Sequence, residues 1–124
     1  YIEKVIKTKD KVIVRGTAEA KNEDTFITLL FPKGDFNYYD HRGRRLEASL
    51  RKVVIGNSSN EVDTDYKLDQ ALTVKELVLY NYPKDIAWIF DNVPEEADHL
   101  ARLRLHLNTP RAGHIKINLD GTSL

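Results

Sequence analysis

The sequence lacks several features that would point to a particular chemistry. It contains no cysteine, which excludes disulfide bonds, thiol nucleophiles and thiolate metal sites. No apolar run approaches the ~18 residues of a membrane-spanning helix, so membrane insertion is not expected. Neither sign of charge is in excess, because 19 basic side chains balance 19 acidic ones. Since a dedicated nucleic-acid binder normally carries a basic excess, we expect no nucleic-acid partner.

Methionine is absent as well, and the chain begins with Tyr1. We therefore expect a processed chain or a part of a longer protein. The N-terminus shows no charged and apolar leader, so the sequence by itself predicts no compartment. The 124 residues are 41% hydrophobic, which suits one folded domain over residues 1–124.

Short apolar runs, separated by turn residues, occupy most of the chain. Residues 11–20 alternate between apolar and polar side chains, and so do residues 100–107, where Leu105 shares one face with other leucines while Arg104 and His106 share the opposite face. A side-chain period of two is typical of a half-buried strand. The sequence therefore predicts an all-β, antiparallel two-sheet β-sandwich of about eight strands, with Trp88 in its core.

Three segments are less regular. Residues 44–55 carry leucine and valine at helical spacing, but two strands with a kink fit the surrounding pattern better, and both interpretations stay open. Residues 56–65 are rich in Asn, Ser and Asp and predict a loop. Residues 94–98 begin with proline followed by acids, which predicts the one short helical turn of the domain.

Metal-ligand patterns are incomplete. The four histidines form neither a zinc-helix pair nor a His-x-His pair, and we expect them at the surface. Asp63, Asp65 and Asp69 have spacings that loop calcium ligands can show, but the turn glycine is missing and Lys67 stands where a ligand is needed. A solvated loop is the favoured interpretation, with a structural calcium as the alternative.

Catalytic motifs are not found either. None of the serines lies in a Gly-x-Ser-x-Gly elbow, and the six glycines do not form a phosphate-binding loop. Acidic pairs such as Glu95 and Glu96 have no distinguishing context. We therefore expect no enzymatic activity and no cofactor.

Exposed tyrosines and a basic turn are the candidate binding residues. Tyr39 and Tyr82 are expected at the surface, where a rigid ring with a polar end suits sugar rings or a protein partner. Arg42 and Arg44 belong to the densest basic cluster, which could hold phosphate or an acidic partner. Charged hairpin tips also occur simply to keep a domain soluble and to discourage edge pairing.

Three stretches carry a family resemblance: the strand VIVRGTA at residues 12–18, the strand and turn FNYYDHRG at 36–43, and WIFDNVP at 88–94 before LRL at 103–105. Together they span most of the chain. The arrangement resembles the immunoglobulin-like, telokin-like accessory β-sandwich domains of bacterial envelope and multidomain proteins. The resemblance implies a non-catalytic module in the cell envelope or outside the cell, with no catalytic residues to transfer.

These observations favour a non-catalytic interaction or accessory domain that binds a protein partner or the rest of its parent chain. The alternative is a carbohydrate-binding module that uses exposed tyrosines and end loops. An accessory domain predicts flat polar sheet faces, whereas a sugar binder requires at least two exposed, roughly coplanar rings. An enzyme would require a concave pocket with ionisable groups of shifted pKa.

Overall fold

The computed structural model of the protein describes residues 2–31, 36–40, 42–61, 72–91, 93–94, 97 and 99–121. Within these ranges the backbone forms eleven strands and no helix. The strands are β1 (Ile2–Lys7), β2 (Val12–Ala18), β3 (Thr25–Phe31), β4 (Phe36–Tyr39), β5 (Arg45–Glu47), β6 (Ser49–Ile55), β7 (Ser58–Glu61), β8 (Leu72–Val78), β9 (Lys84–Asp91), β10 (His99–Thr109) and β11 (Gly113–Asn118).

The strands form two sheets. One sheet has five strands in the order β1-β2-β9-β6-β7, and the other has six, in the order β5-β4-β10-β3-β8 with β11 added beside β10. Neighbouring strands are antiparallel throughout. The predicted all-β, two-sheet sandwich is confirmed. No described helix has the length and apolar character that a membrane crossing requires.

Alternate side chains of both sheets form one apolar core. In β2, Val12 and Val14 are fully buried while Arg15 is exposed, as the alternation predicts. Trp88 on β9 is fully buried, which confirms its predicted place in the core. Fully burying such a side chain contributes about 1.5–3 kcal/mol, so this packing dominates the stability of the domain. The largest fully buried side chains are Trp88, Phe36, Phe90, Leu29, Ile55, Leu100, Leu103 and Leu105.

Strand β10 organises the six-stranded sheet. Its first half pairs with β4, its second half pairs with β3, and β11 lies along its other edge. The chain after β11 continues along this edge, because the amide of Leu119 donates to the carbonyl of Leu103 at 2.8 Å. The carboxylate of Asp120 then accepts the amide of Leu103, also at 2.8 Å. The C-terminal segment thereby covers the start of β10.

Residues 44–55 form two strands, which decides between the two predicted interpretations. β5 and β6 are separated at Ala48, whose amide donates to the carbonyl of Phe36 at 3.2 Å. Ala48 is buried at this kink. The apolar spacing that suggested a helix comes from two short strands in succession.

The predicted loop after β6 is partly wrong. β7 follows β6 after a two-residue turn, with Ile55 paired to Ser58 across the hairpin. Gly56 supplies the turn with φ of +57°, a conformation that glycine adopts without steric cost. The polar composition of β7 hid it, because strand propensity is easily overridden by hairpin geometry and position at the sheet edge. This strand, with the short β5, raises the number of strands above the predicted eight.

The predicted helical turn at residues 94–98 falls mostly outside the described residues. Within the described part, the amide of Ala97 donates to the carbonyl of Pro94 at 3.1 Å. This bond spans three residues and closes a single turn. Residues 95, 96 and 98 lie outside the described chain.

Candidate functional site

The two predicted tyrosines lie at opposite ends of the sandwich. Tyr39 on β4 is 41% exposed and pairs with His99, the first residue of β10. Tyr82 is 69% exposed and follows β8. The last residue of β8, Val78, pairs with Thr25 at the start of β3, and β3 lies beside the second half of β10. At about 3.3 Å per strand residue the two rings are separated by roughly 30 Å. They cannot contact one small ligand together.

The two predicted arginines belong to the turn between β4 and β5, which is built around a buried carboxylate. Asp40 accepts the amides of Arg42 at 2.9 Å and Arg44 at 2.8 Å, and the Nε of Arg44 donates to the same side chain at 2.9 Å. Desolvation raises the pKa of Asp40, but these donors outweigh it and hold the pKa below its usual value. Arg44 therefore stabilises the turn through its bonds to Asp40, and Arg42 is exposed to solvent.

The calcium candidates Asp63, Asp65 and Asp69 lie outside the described residues. In the described ranges, no three His, Asp or Glu side chains come close enough together to hold a metal ion.

One histidine prediction is wrong. His106 is only 5% exposed, and its Nδ1 lies 2.8 Å from the Nε2 of His114 on β11. The two rings meet edge to face at 89°, with centroids 5.0 Å apart. The sequence separates these residues by a turn, and only the pairing of β10 with β11 brings them together. Sequence reasoning missed the pair because it searched for neighbours along the chain rather than across a hairpin.

An exposed aromatic turn connects β8 to β9. Tyr80 is 46% exposed and lies two residues before Tyr82. Its amide is fixed by the carboxylate of Asp24 at 2.8 Å, and Asn81 adopts a φ of 64° between the two tyrosines. The amide of Tyr82 donates to the carbonyl of Leu79 at 3.0 Å. The backbone beneath both rings is therefore well anchored.

A polar cluster joins the two sheets near β7. Glu76 on β8 accepts a hydrogen bond from the hydroxyl of Ser58 and one from Lys84 on β9, the latter at 2.9 Å. The Ser58 and Lys84 hydrogen bonds lower the pKa of Glu76, against the effect of desolvation. The cluster ties a strand of the six-stranded sheet to two strands of the five-stranded sheet.

The outer side of the five-stranded sheet carries an apolar surface. Strand register places Ile6 beside Ile13 and Ile13 beside Ile89, so three isoleucines cross β1, β2 and β9 in one row. Val54 pairs with Ala87 in the adjacent row. All five side chains are half-buried, and they point away from the core because their chain neighbours fill it. We call these five residues the apolar face.

A shallow groove of about 510 Å³ lies over four residues of the apolar face, namely Ile13, Val54, Ala87 and Ile89. Four charged residues line it, two acidic and two basic: Glu3, Asp85, Lys4 and Arg15. Glu3 is held in place because its carboxylate accepts the Thr17 hydroxyl at 2.5 Å. Lys52 on β6 pairs with Ile89 and adds a positive charge at another side of the surface. The centre of the surface is thus apolar, and charges of both signs surround it.

The apolar face departs from the expectation of polar outer sheet faces. Sequence reasoning missed it because residues 86–90 are apolar on both faces of β9, so their period does not tell the core from the solvent side. The alternation of residues 11–20 places Ile13 on the same face as Arg15, and only the register shows that its neighbours across the sheet are isoleucines. The carboxyls with a lowered pKa, Asp40 and Glu76, lie outside this groove.

Comparison of the chain with protein-family models, with curated proteins and with solved structures found no match.

Proposed function

We propose that this domain is a non-catalytic interaction module and that the apolar face is its contact surface. The observation that carries the proposal is the groove of about 510 Å³ over four of the five aliphatic side chains of this face, on the solvent side of a sheet. Among the described residues, the sheets bury a separate apolar core between them, and these five side chains are not part of it. A contiguous apolar surface that is partly accessible to solvent and has a charged rim is typical of protein contact sites.

The shape of the surface favours a flat partner. A twisted sheet bearing β-branched side chains packs well against a second sheet about 10 Å away. A protein partner, or another part of the parent chain, can offer such a surface. The resemblance to immunoglobulin-like accessory domains supports the same class of function.

Selection from a displayed peptide library tests the proposal without a known partner. We expect enriched peptides to be apolar and to lose at least about tenfold in affinity, or about 1.4 kcal/mol, towards Ile89→Lys. The control is Ile115→Lys, because Ile115 is an isoleucine that is 37% exposed on β11 of the other sheet. Peptides that bind both variants equally would show that the apolar face is not the contact surface.

Carbohydrate binding is the second candidate, and the aromatic turn favours it. Tyr80 and Tyr82 are both exposed on an anchored backbone, which limits the entropy lost when rings stack on a sugar. A glycan array should then show binding that Tyr82→Ala abolishes and that Tyr39→Ala, at the other end of the sandwich, leaves unchanged. An array without any bound glycan would remove this candidate.

A further inference from the structure

We infer that the occupant of the apolar face is a second copy of this chain, in a weak two-fold dimer. The inference rests on the proposed function, because it names the partner of the same surface. Its first support is symmetry: a two-fold interface brings one patch against itself, so the patch must be complementary to itself. An apolar centre satisfies this condition, since aliphatic side chains pack against one another in any combination.

The charges around the groove satisfy the same condition. Glu3 and Asp85 supply two negative charges, and Lys4 and Arg15 supply two positive ones. Each copy therefore offers both signs of charge to the other. A partner of strongly acidic or basic character would be matched better by a rim of one sign.

The charge of the whole chain also permits self-association. The formal net charge is +0, with a pI near 7.1. Two copies approaching each other at neutral pH therefore experience no long-range repulsion. A net charge near zero generally promotes association of a protein with itself.

The edge of the same sheet disfavours the competing arrangement, in which β1 strands of two copies pair side by side. A bulge interrupts the register between Ile2 and Lys4. Lys4 and Lys7 add positive charge along this edge strand, and bulges and lysines are the usual protection against edge pairing. Association of this sheet is therefore expected through its face, with the two sheets stacked, rather than through the β1 edge.

The area of the apolar face indicates that the dimer is weak. The four strands that carry the face, each about 4.8 Å wide and about seven residues long, cover roughly 450 Å² per copy. Two copies would bury about 900 Å² in total, which is below the size of a stable interface. We therefore expect a dissociation constant between about 10 µM and 1 mM, well above that of a permanent dimer.

Sedimentation equilibrium measures the association directly. Between about 10 µM and 1 mM, the range set by the expected affinity, the average mass of the wild-type protein should rise from 14.3 kDa towards twice that value. Ile89→Lys should remain at the monomer mass at every concentration, whereas Ile115→Lys should associate like the wild type. Circular dichroism of both variants confirms that they are folded.

A mixture of two variants with reversed rim charges tests whether the rim is complementary to itself. Arg15→Glu makes the rim acidic and Asp85→Lys makes it basic, so each variant alone should repel its own copies. An equimolar mixture of the two should associate at least as strongly as the wild type, because the opposite rims now attract. Association of the mixture that is no stronger than that of either variant alone would contradict the self-complementary rim.

The outcomes separate the inference from the proposed function. A wild-type protein that stays at 14.3 kDa at the highest concentration overturns the dimer, while peptides selected on the apolar face would still support the interaction module. A wild-type dimer that Ile89→Lys leaves intact would place the interface elsewhere. That result would overturn the inference, and a library that yields no Ile89-dependent peptide would separately overturn the proposed function.

Discussion

At the scale of single residues, neighbours on one strand have opposite environments. On β10, Leu105 is fully buried between the sheets, while Arg104 points outward and pairs with Asp120 at 3.4 Å. The core depends on such alternation, because every second side chain is removed from water. Substitutions at adjacent positions should therefore differ sharply in their effect.

Replacing Leu105 with Asp should abolish folding, since it removes core packing and buries a carboxylate without a partner. Replacing Arg104 with Ser should change the free energy of unfolding by no more than about 1 kcal/mol, because a half-exposed ion pair contributes little. Urea unfolding followed by tryptophan fluorescence measures both. Equal destabilisation of the two variants would show that the faces of β10 are assigned wrongly.

Two carboxylates make the stability depend on acid pH. The pKa values of Asp40 and Glu76 are lower in the folded protein than in the unfolded chain, where they lie near about 4. Each side chain therefore stabilises the fold above that pH, and its contribution is lost as the pH falls through the lower folded value. The wild-type protein should become easier to unfold in urea below about pH 4 for this reason.

The variants Asp40→Asn and Glu76→Gln test this dependence. Each should be less stable than the wild type at pH 7, and the difference should shrink at pH 3, where the native carboxyl is increasingly protonated. Urea midpoints at the two pH values supply the comparison. A deficit of the same size at both pH values would mean that the lowered pKa has no part in stability.

The burial of a residue could be predicted from the sequence only where the pattern along its own strand decides it. The alternation predicted the burial of Leu105, and the position of Trp88 between apolar residues predicted its place in the core. The burial of His106 depends on the strands beside it, among them β11, and no local pattern reports that pairing. Ile13 is comparable, because its outward isoleucine neighbours come from β1 and β9.

At the scale of elements, turns decide which strands form. Gly56 reverses the chain between β6 and β7 with a positive φ, and a Cβ added there would lie 3.0 Å from the Cδ of Lys84. Gly43, in the turn between β4 and β5, also has a positive φ, but a Cβ there would meet no atom within 4 Å. Comparing substitutions at the two glycines therefore separates the cost of backbone strain from the cost of a steric contact with a neighbouring side chain.

We expect Gly43→Ala to lower the free energy of unfolding by about 1–2 kcal/mol, the cost of the left-handed conformation. Gly56→Ala should cost more, because the added Cβ also crowds the side chain of Lys84, which is bonded to Glu76. Thermal and urea unfolding of the two variants give the difference. If Gly43→Ala is the more damaging change, the contact between the Gly56 turn and Lys84 does not support the hairpin.

Long alternating segments allowed most elements to be predicted, including β2 and β10. β7 could not be predicted, because Ser58 and its neighbours are polar and pair only after the turn has formed. The segment 44–55 remained ambiguous because two short strands in succession imitate helical spacing. In each case the missing information is long-range pairing, which a local period does not contain.

At the scale of the whole molecule, the sandwich has one filled core and two different outer surfaces. The five-stranded sheet carries the apolar face on its outer side. The outer side of the six-stranded sheet bears Arg104, His114 and Lys116 on β10 and β11, and also Phe26 on β3, which is 47% exposed. The fold class could be predicted from alternation alone. The functional surface could not, because it is assembled from four strands, β1, β2, β6 and β9, that are distant in the chain.

A dilution series of ¹⁵N-labelled protein, followed by two-dimensional NMR, tests most directly whether the apolar face is a contact surface. Between about 1 mM and 20 µM, the range in which a weak dimer dissociates, we predict amide shift changes concentrated around Ile6, Ile13, Val54, Ala87 and Ile89, with β11 unchanged. A spectrum that does not change with concentration would contradict the dimer, and changes centred on β11 or the aromatic turn would show that the apolar face is not the surface through which copies associate.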